Sequence, residues 1–69
     1  MKAHINLNGR IECNNIEFIS GDLIDVLIAN QWIRTRIEHN GQQYYSIDGY
    51  DLIGHQIRPS NIRFTHHLT

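Results

Sequence analysis

Three side chains suited to binding another molecule occupy every second position in the stretch QWIRTRIEH: Trp32, Arg34 and Arg36. Residues two apart in a β-strand share one face of the sheet. Trp, Tyr and Arg are enriched in binding hot spots, and a guanidinium over an aromatic ring adds a modest attraction. We expect Tyr44, beyond the following turn, to meet Arg36 on the same face. The pattern predicts a partner-binding surface made of Trp32, Arg34, Arg36 and Tyr44.

Trp32 allows two interpretations. If Ile33, Thr35 and Ile37 face the core, Trp32 faces solvent unless the strand bulges, and it would then anchor a partner. The alternative is a structural lid, in which the indole covers the end of the core. Both interpretations remain open from the sequence.

Metal chemistry finds little support in the residue types. A zinc site needs Cys and His at paired short spacings, but Cys13 is the only cysteine, which also excludes an internal disulfide. His66 and His67 are adjacent, so in an extended segment they point to opposite sides. The sequence predicts no metal and no cofactor. The histidines are His4, His39, His55, His66 and His67.

Acid–base and nucleophilic chemistry find equally little. The pairs Asp22/Asp25 and Asp48/Asp51 could perform general acid–base work, but both lie where Asp commonly stabilises turns. Cys13 has no neighbouring signature of a reactive thiol. We expect a non-catalytic protein.

Length and charge narrow the function classes further. The chain has 69 residues, with six basic and seven acidic side chains and a net charge of −1. This predicts one small domain over 1–69, with its core at about 3–64 and a tail at 65–69. The charge balance disfavours binding that depends on many phosphate contacts. The absence of a long apolar run predicts a cytoplasmic protein with no membrane segment.

Two Asn-Gly pairs mark hairpin turns. At Asn8-Gly9, a three-residue loop places Ile5 opposite Ile11, whereas a two-residue loop places Ile5 opposite Glu12. The apolar match favours the three-residue form.

At the second pair, Asn40-Gly41, a three-residue loop puts Ile33 opposite Ile47 and Arg36 opposite Tyr44. A two-residue loop pairs Arg36 with Tyr45 instead. Both registers predict that Arg36 meets a tyrosine.

Other short strands are expected at 24–28, at HQIR before Pro59, and at NIRF, with turn chemistry at Ser20-Gly21-Asp22. No segment has a helical period. The pattern predicts an all-β fold, a small barrel of five to six short antiparallel strands. The exposed strand edges of such a small sheet are compatible with either a monomer or a homodimer.

The order GDLIDVL, QWIRTRI, NG and RPSNIRF resembles the SH3 pattern over roughly residues 20–64. The resemblance implies an SH3-like barrel and adds Pro59 and Asn61 to Trp32 as candidate partner-binding residues. The chain also resembles short proteins of Gram-positive bacteria and their mobile elements that carry a similar arrangement of Trp, Arg and Tyr-Tyr.

The sequence departs from the SH3 domains that bind proline-rich peptides. Those domains carry tyrosines before the Gly-Asp turn, where this chain has NNIEFIS, and a tyrosine after Pro-Ser-Asn, where it has Ile62. The resemblance therefore implies architecture more than ligand.

Two functions follow from these features. The first is a binding module of a phage or mobile element that binds and inhibits a host protein machine, as an anti-defence inhibitor would. The alternative is nucleic-acid or nucleotide binding, with bases stacked on the aromatic side chains beside the arginines.

Overall fold

The computed structural model describes residues 1–60, and these form seven antiparallel β-strands in two sheets. The all-β prediction is confirmed, although the described residues hold seven strands instead of five or six. This part of the chain contains no helix long and apolar enough to cross a membrane. The strand predicted at NIRF, the predicted tail and Asn61 lie outside the described residues. In chain order the strands are β1 (His4–Ile5), β2 (Ile11–Cys13), β3 (Ile16–Phe18), β4 (Leu23–Ile28), β5 (Gln31–His39), β6 (Tyr44–Ser46) and β7 (Ile57–Pro59).

The first three strands form one sheet in the order β1-β2-β3, and the other four form a second sheet in the order β6-β5-β4-β7. In the first hairpin Ile5 pairs with Ile11, and the amide of Asn6 donates to the carbonyl of Arg10. The predicted three-residue loop is confirmed, with Gly9 at a left-handed φ of 77°. The apolar match that favoured this loop is only partial, because Ile11 is buried while Ile5, on an edge strand, is exposed.

Two further hairpins turn on non-glycine residues in the left-handed region. Asn14 and Asn15 join β2 to β3, and Ala29 and Asn30 join β4 to β5, all with φ between 50° and 65°. Two-residue loops of this kind match the twist of the flanking strands, and Asn tolerates the conformation better than most residues. The sequence prediction contained no turn at Asn14-Asn15.

Strands β4 and β5 follow the predicted alternation. Ile24 and Val26 are fully buried, and on β5 Thr35 and Ile37 are buried while Arg34 and Arg36 are exposed. Strand β7 pairs with β4, and it confirms the strand predicted before Pro59.

The predicted pairing of β5 with β6 is wrong in both registers. Tyr44 lies opposite His39, and Ile47 donates its amide to the carbonyl of Arg36. The loop has four residues, 40–43. Its conformation is fixed by Asn40, whose Oδ1 accepts the amides of Gln42 and Gln43 at 2.9 and 3.0 Å. Relative to the predicted three-residue loop, the shift is an odd number of residues, so every β6 side chain changes face.

A buried hydrogen-bond network explains why this register is preferred. Thr35 Oγ1 donates to Asp48 Oδ2 at 2.7 Å and lies 2.8 Å from Ser46 Oγ. Because the Thr35 proton is used on Asp48, Ser46 is the donor in the second bond. A buried hydroxyl without a partner is costly, and this register gives both hydroxyls one.

Both sheets contribute to a single hydrophobic core. The three-stranded sheet supplies the side chains of β2 and β3, and the four-stranded sheet those of β4, β5 and β7. The buried apolar residues are Ala3, Ile11, Cys13, Phe18, Ile24, Val26, Ile37, Leu52 and Ile57.

A matched pair of substitutions tests this core. Ile37 is 0% exposed and Ile53 is 50% exposed. Ile37→Ala leaves a cavity and should lower the free energy of unfolding by about 2–5 kcal/mol. Ile53→Ala removes the same atoms from a half-exposed site and should cost much less. Urea denaturation measures both values, and equal losses would contradict the assigned core.

Candidate functional site

The solvent side of the four-stranded sheet gathers the predicted cations with apolar side chains that the sequence analysis missed. We call this surface the outer face. Alternation along each strand places its members there, and neighbouring strands bring them together. Its apolar and basic residues are Leu23, Leu27, Trp32, Arg34, Arg36, Tyr45, Ile47 and Arg58.

Trp32 is partly exposed, at 36% of its surface, as expected for an outward side chain. Its ring is stacked against Arg58, whose guanidinium carbon lies 3.8 Å from the ring centroid. Arg58 Nε also lies 3.3 Å from Asp25 Oδ2. The stacking and the ion pair together hold the indole against the sheet while leaving part of it open to solvent.

The three arginines of the outer face differ in their partners. Arg36 Nε contacts Glu38 Oε2 at 2.6 Å, two residues along the same strand. Arg58 is paired with Asp25. Arg34 lies opposite Asp25 across β4 and β5, but within residues 1–60 it has neither an ion pair nor a side-chain hydrogen bond. Among the described residues, Arg34 is therefore the cation of this face whose donors have no side-chain acceptor.

Apolar side chains flank Arg36 on both sides, one from β4 and one from the residue that follows β6. Leu23 on β4 lies opposite Arg36 and is 46% exposed, and Ile47 lies opposite it on the other side and is 47% exposed. These residues line a shallow hollow of about 350 Å³ together with Arg34, Thr35 and Asp48. The hollow can accept one small apolar side chain from another molecule.

Tyr44 does not belong to the outer face, which corrects the predicted site. Its ring packs against the core and contacts His39, with ring centroids 4.5 Å apart. The Tyr44 hydroxyl, together with the Glu17 carboxylate, raises the pKa of the Arg10 guanidinium. The tyrosine on the outer face is Tyr45, which pairs with Glu38.

Pro59 also lies apart from Trp32. It pairs with Ile24, on the opposite side of β7 from Arg58, and lines a groove of about 320 Å³ beside Phe18 and Gly21. The structure thus unites Trp32, Arg34 and Arg36, separates Tyr44 and Pro59 from them, and does not describe Asn61. Arg58 could have been found from the extended geometry that proline imposes on its predecessor, but only with knowledge of the β4–β7 pairing.

Three of the four candidate acid–base carboxylates have structural contacts. Asp22 Oδ2 accepts the amide of Ile19 in the turn before β4, Asp25 pairs with Arg58, and Asp48 accepts the Thr35 hydroxyl. Within residues 1–60, no group of three His, Cys, Asp or Glu side chains is placed to hold a metal ion.

Residues 6–60 match a family described as Domain of unknown function (DUF5348). This chain belongs to the DUF5348 family. The matched segment contains the whole outer face, from Leu23 to Arg58. No curated protein and no solved structure shows a significant match to the chain.

In the three-stranded sheet of this DUF5348 domain, hydrogen bonds shift the pKa of the Glu17 carboxyl group. The side chains of Asn8, Asn6 and Arg10 hydrogen-bond the Glu17 carboxylate and lower its pKa below the ordinary 4.5. The ionised Glu17 carboxylate therefore stabilises the folded protein above pH 4.5. This contribution is lost as the pH falls through the pKa that Glu17 has in the folded protein.

We expect acid to remove this contribution. The urea midpoint of the wild type should fall more between about pH 6 and pH 3 than that of Glu17→Gln, which cannot titrate there. The two curves should converge at low pH. Parallel losses of stability in both proteins would contradict the assignment.

Trp32 is the only tryptophan, so its fluorescence reports on Arg58 directly. Arg58→Ala should uncover the ring, raise acrylamide quenching and shift the emission to longer wavelength. Arg58→Lys should restore part of the shielding, because an ammonium still attracts the ring but lacks the planar contact. Arg36→Ala, remote from the ring, is the control. Unchanged quenching in Arg58→Ala would show that Arg58 does not cover Trp32 in solution.

Proposed function

We propose that this protein is a non-catalytic binding module that docks on a protein partner through its outer face. In the fuller form of the proposal, it has SH3-like barrel architecture, comes from a phage or mobile element and inhibits a host protein machine. The observation that carries the docking proposal is one exposed sheet face that combines Trp32, Tyr45, Leu23 and Ile47 with arginines. Such composition is typical of binding hot spots.

Burial and charge support a protein partner over a nucleic acid. A phosphate backbone is gripped by several free cations at once. On the outer face Arg36 and Arg58 are already paired with carboxylates, and Asp25 and Glu38 would repel phosphates. One side of the Trp32 ring is also covered by Arg58, which reduces the surface on which a base could stack.

Affinity capture from an extract of a Gram-positive bacterium that carries a gene of this family tests the proposal. Wild type and Leu7→Ala should retain the same partner, since Leu7 is fully exposed in the β1–β2 loop of the other sheet. Trp32→Ala should lose that partner while keeping its fold. With the purified partner, Trp32→Ala should weaken the free energy of binding by about 2 kcal/mol or more, which is typical of hot-spot truncations.

Two results would contradict the proposal. One is capture that disappears with nuclease treatment and weakens steeply with added salt, which would indicate nucleic-acid binding. The other is equal retention of the partner by Trp32→Ala and wild type, with circular dichroism showing both folded. The inhibition is tested separately, by assaying the captured machine with and without the protein.

A further inference from the structure

Arg34 has an unused binding capacity that its neighbours create. Asp25 is its cross-strand partner, but the Asp25 carboxylate bonds Arg58, which is fixed in addition by its stacking on Trp32. Arg34 therefore presents its guanidinium to solvent. A guanidinium binds a carboxylate through two parallel hydrogen bonds, a geometry that an ammonium cannot reproduce.

The ion pairs already present on the outer face limit which anion Arg34 can bind. Arg36 is paired with Glu38, and Arg58 with Asp25, so within residues 1–60 Arg34 is the arginine of this face that has no ion pair. Asp48 lies beside the hollow, with one carboxylate oxygen already accepting the Thr35 hydroxyl. A face on which Arg34 alone lacks an ion pair in the described part of the chain, with carboxylates nearby, suits a single carboxylate and disfavours a run of phosphates.

An apolar seat lies next to this cation. The hollow of about 350 Å³ is lined by Arg34 as well as by Leu23 and Ile47, each nearly half exposed. A side chain entering it would cover both apolar residues and displace water from the stem of Arg36.

We propose that the outer face recognises an acidic residue next to an aliphatic one in its protein partner. The partner's Asp or Glu carboxylate binds Arg34, and the neighbouring Leu, Ile or Val side chain enters the hollow between Leu23 and Ile47. The inference rests on the proposed function, because it specifies the chemistry of the partner that the same face would bind.

Selection of a random peptide library displayed on phage against the wild-type protein tests the inference. We expect enriched peptides that share Asp or Glu within one or two positions of an aliphatic residue. Binding of a synthetic peptide of the enriched sequence should fall at least about 30-fold in Arg34→Glu, the size expected for a hot spot. Lys2→Glu, which makes the same change in charge at an exposed position, should leave binding unchanged.

Two further variants separate the two halves of the site. Arg34→Lys keeps the charge but loses the bidentate geometry, so it should retain only part of the affinity. Leu23→Ser should weaken the wild-type peptide, and it should matter much less for a peptide whose aliphatic residue is replaced by Ser. Circular dichroism and thermal melts verify that each variant is folded.

The outcomes distinguish the inference from the proposed function. Enriched peptides that are neutral or basic, and whose binding needs Trp32 but not Arg34, would overturn the inference and leave the binding face intact. Peptides indifferent to both Trp32→Ala and Arg34→Glu would overturn both. Failure to enrich any acidic–aliphatic peptide also overturns the inference. Two other results would overturn the inference. One is that oligothymidylate competes with the peptide and that this competition vanishes with added salt. The other is that the protein associates with itself and that Arg34→Glu abolishes this association.

Discussion

A hydroxyl that faces a hydrophobic core must find a hydrogen-bond partner there, and in this protein that requirement falls on Thr35. Its bonds to Ser46 and Asp48 fix the register between β5 and β6. With Ser46 turned inward, Tyr45 and Ile47 must point outward. The composition of the outer face is therefore a consequence of how one buried polar group is satisfied.

A second contact decides how the charges of that face are distributed. Arg58 comes from β7, far along the chain, and reaches both the Trp32 ring and the Asp25 carboxylate. Arg58 stacks on the indole, and it also pairs with Asp25, the carboxylate that lies opposite Arg34. An ordinary surface ion pair contributes little to stability, yet here it determines which guanidinium stays available.

Both sheets bury apolar side chains in one small core, and the three-stranded sheet also has polar contacts that tie its strands together. The four-stranded sheet relies on fully buried side chains such as Ile24, Val26 and Ile37. The three-stranded sheet has shorter strands, and its β1–β2 loop is tied to β3 by hydrogen bonds from Asn6, Asn8 and Arg10 to Glu17. A 69-residue domain with a single cysteine cannot form an internal disulfide, and it needs such local polar contacts because its core is limited.

The sequence by itself determined what depends on neighbouring residues: the all-β class, the loop at Gly9, and the alternation that turns Trp32, Arg34 and Arg36 outward. Periodicity and turn chemistry act within a few residues and can be read directly. Only the tertiary structure decided the four-residue loop at 40–43, the inward position of Tyr44 and the stacking of Arg58 on Trp32. Those features depend on side chains from distant strands competing for the same hydrogen bonds and the same core, and a local pattern does not encode that competition.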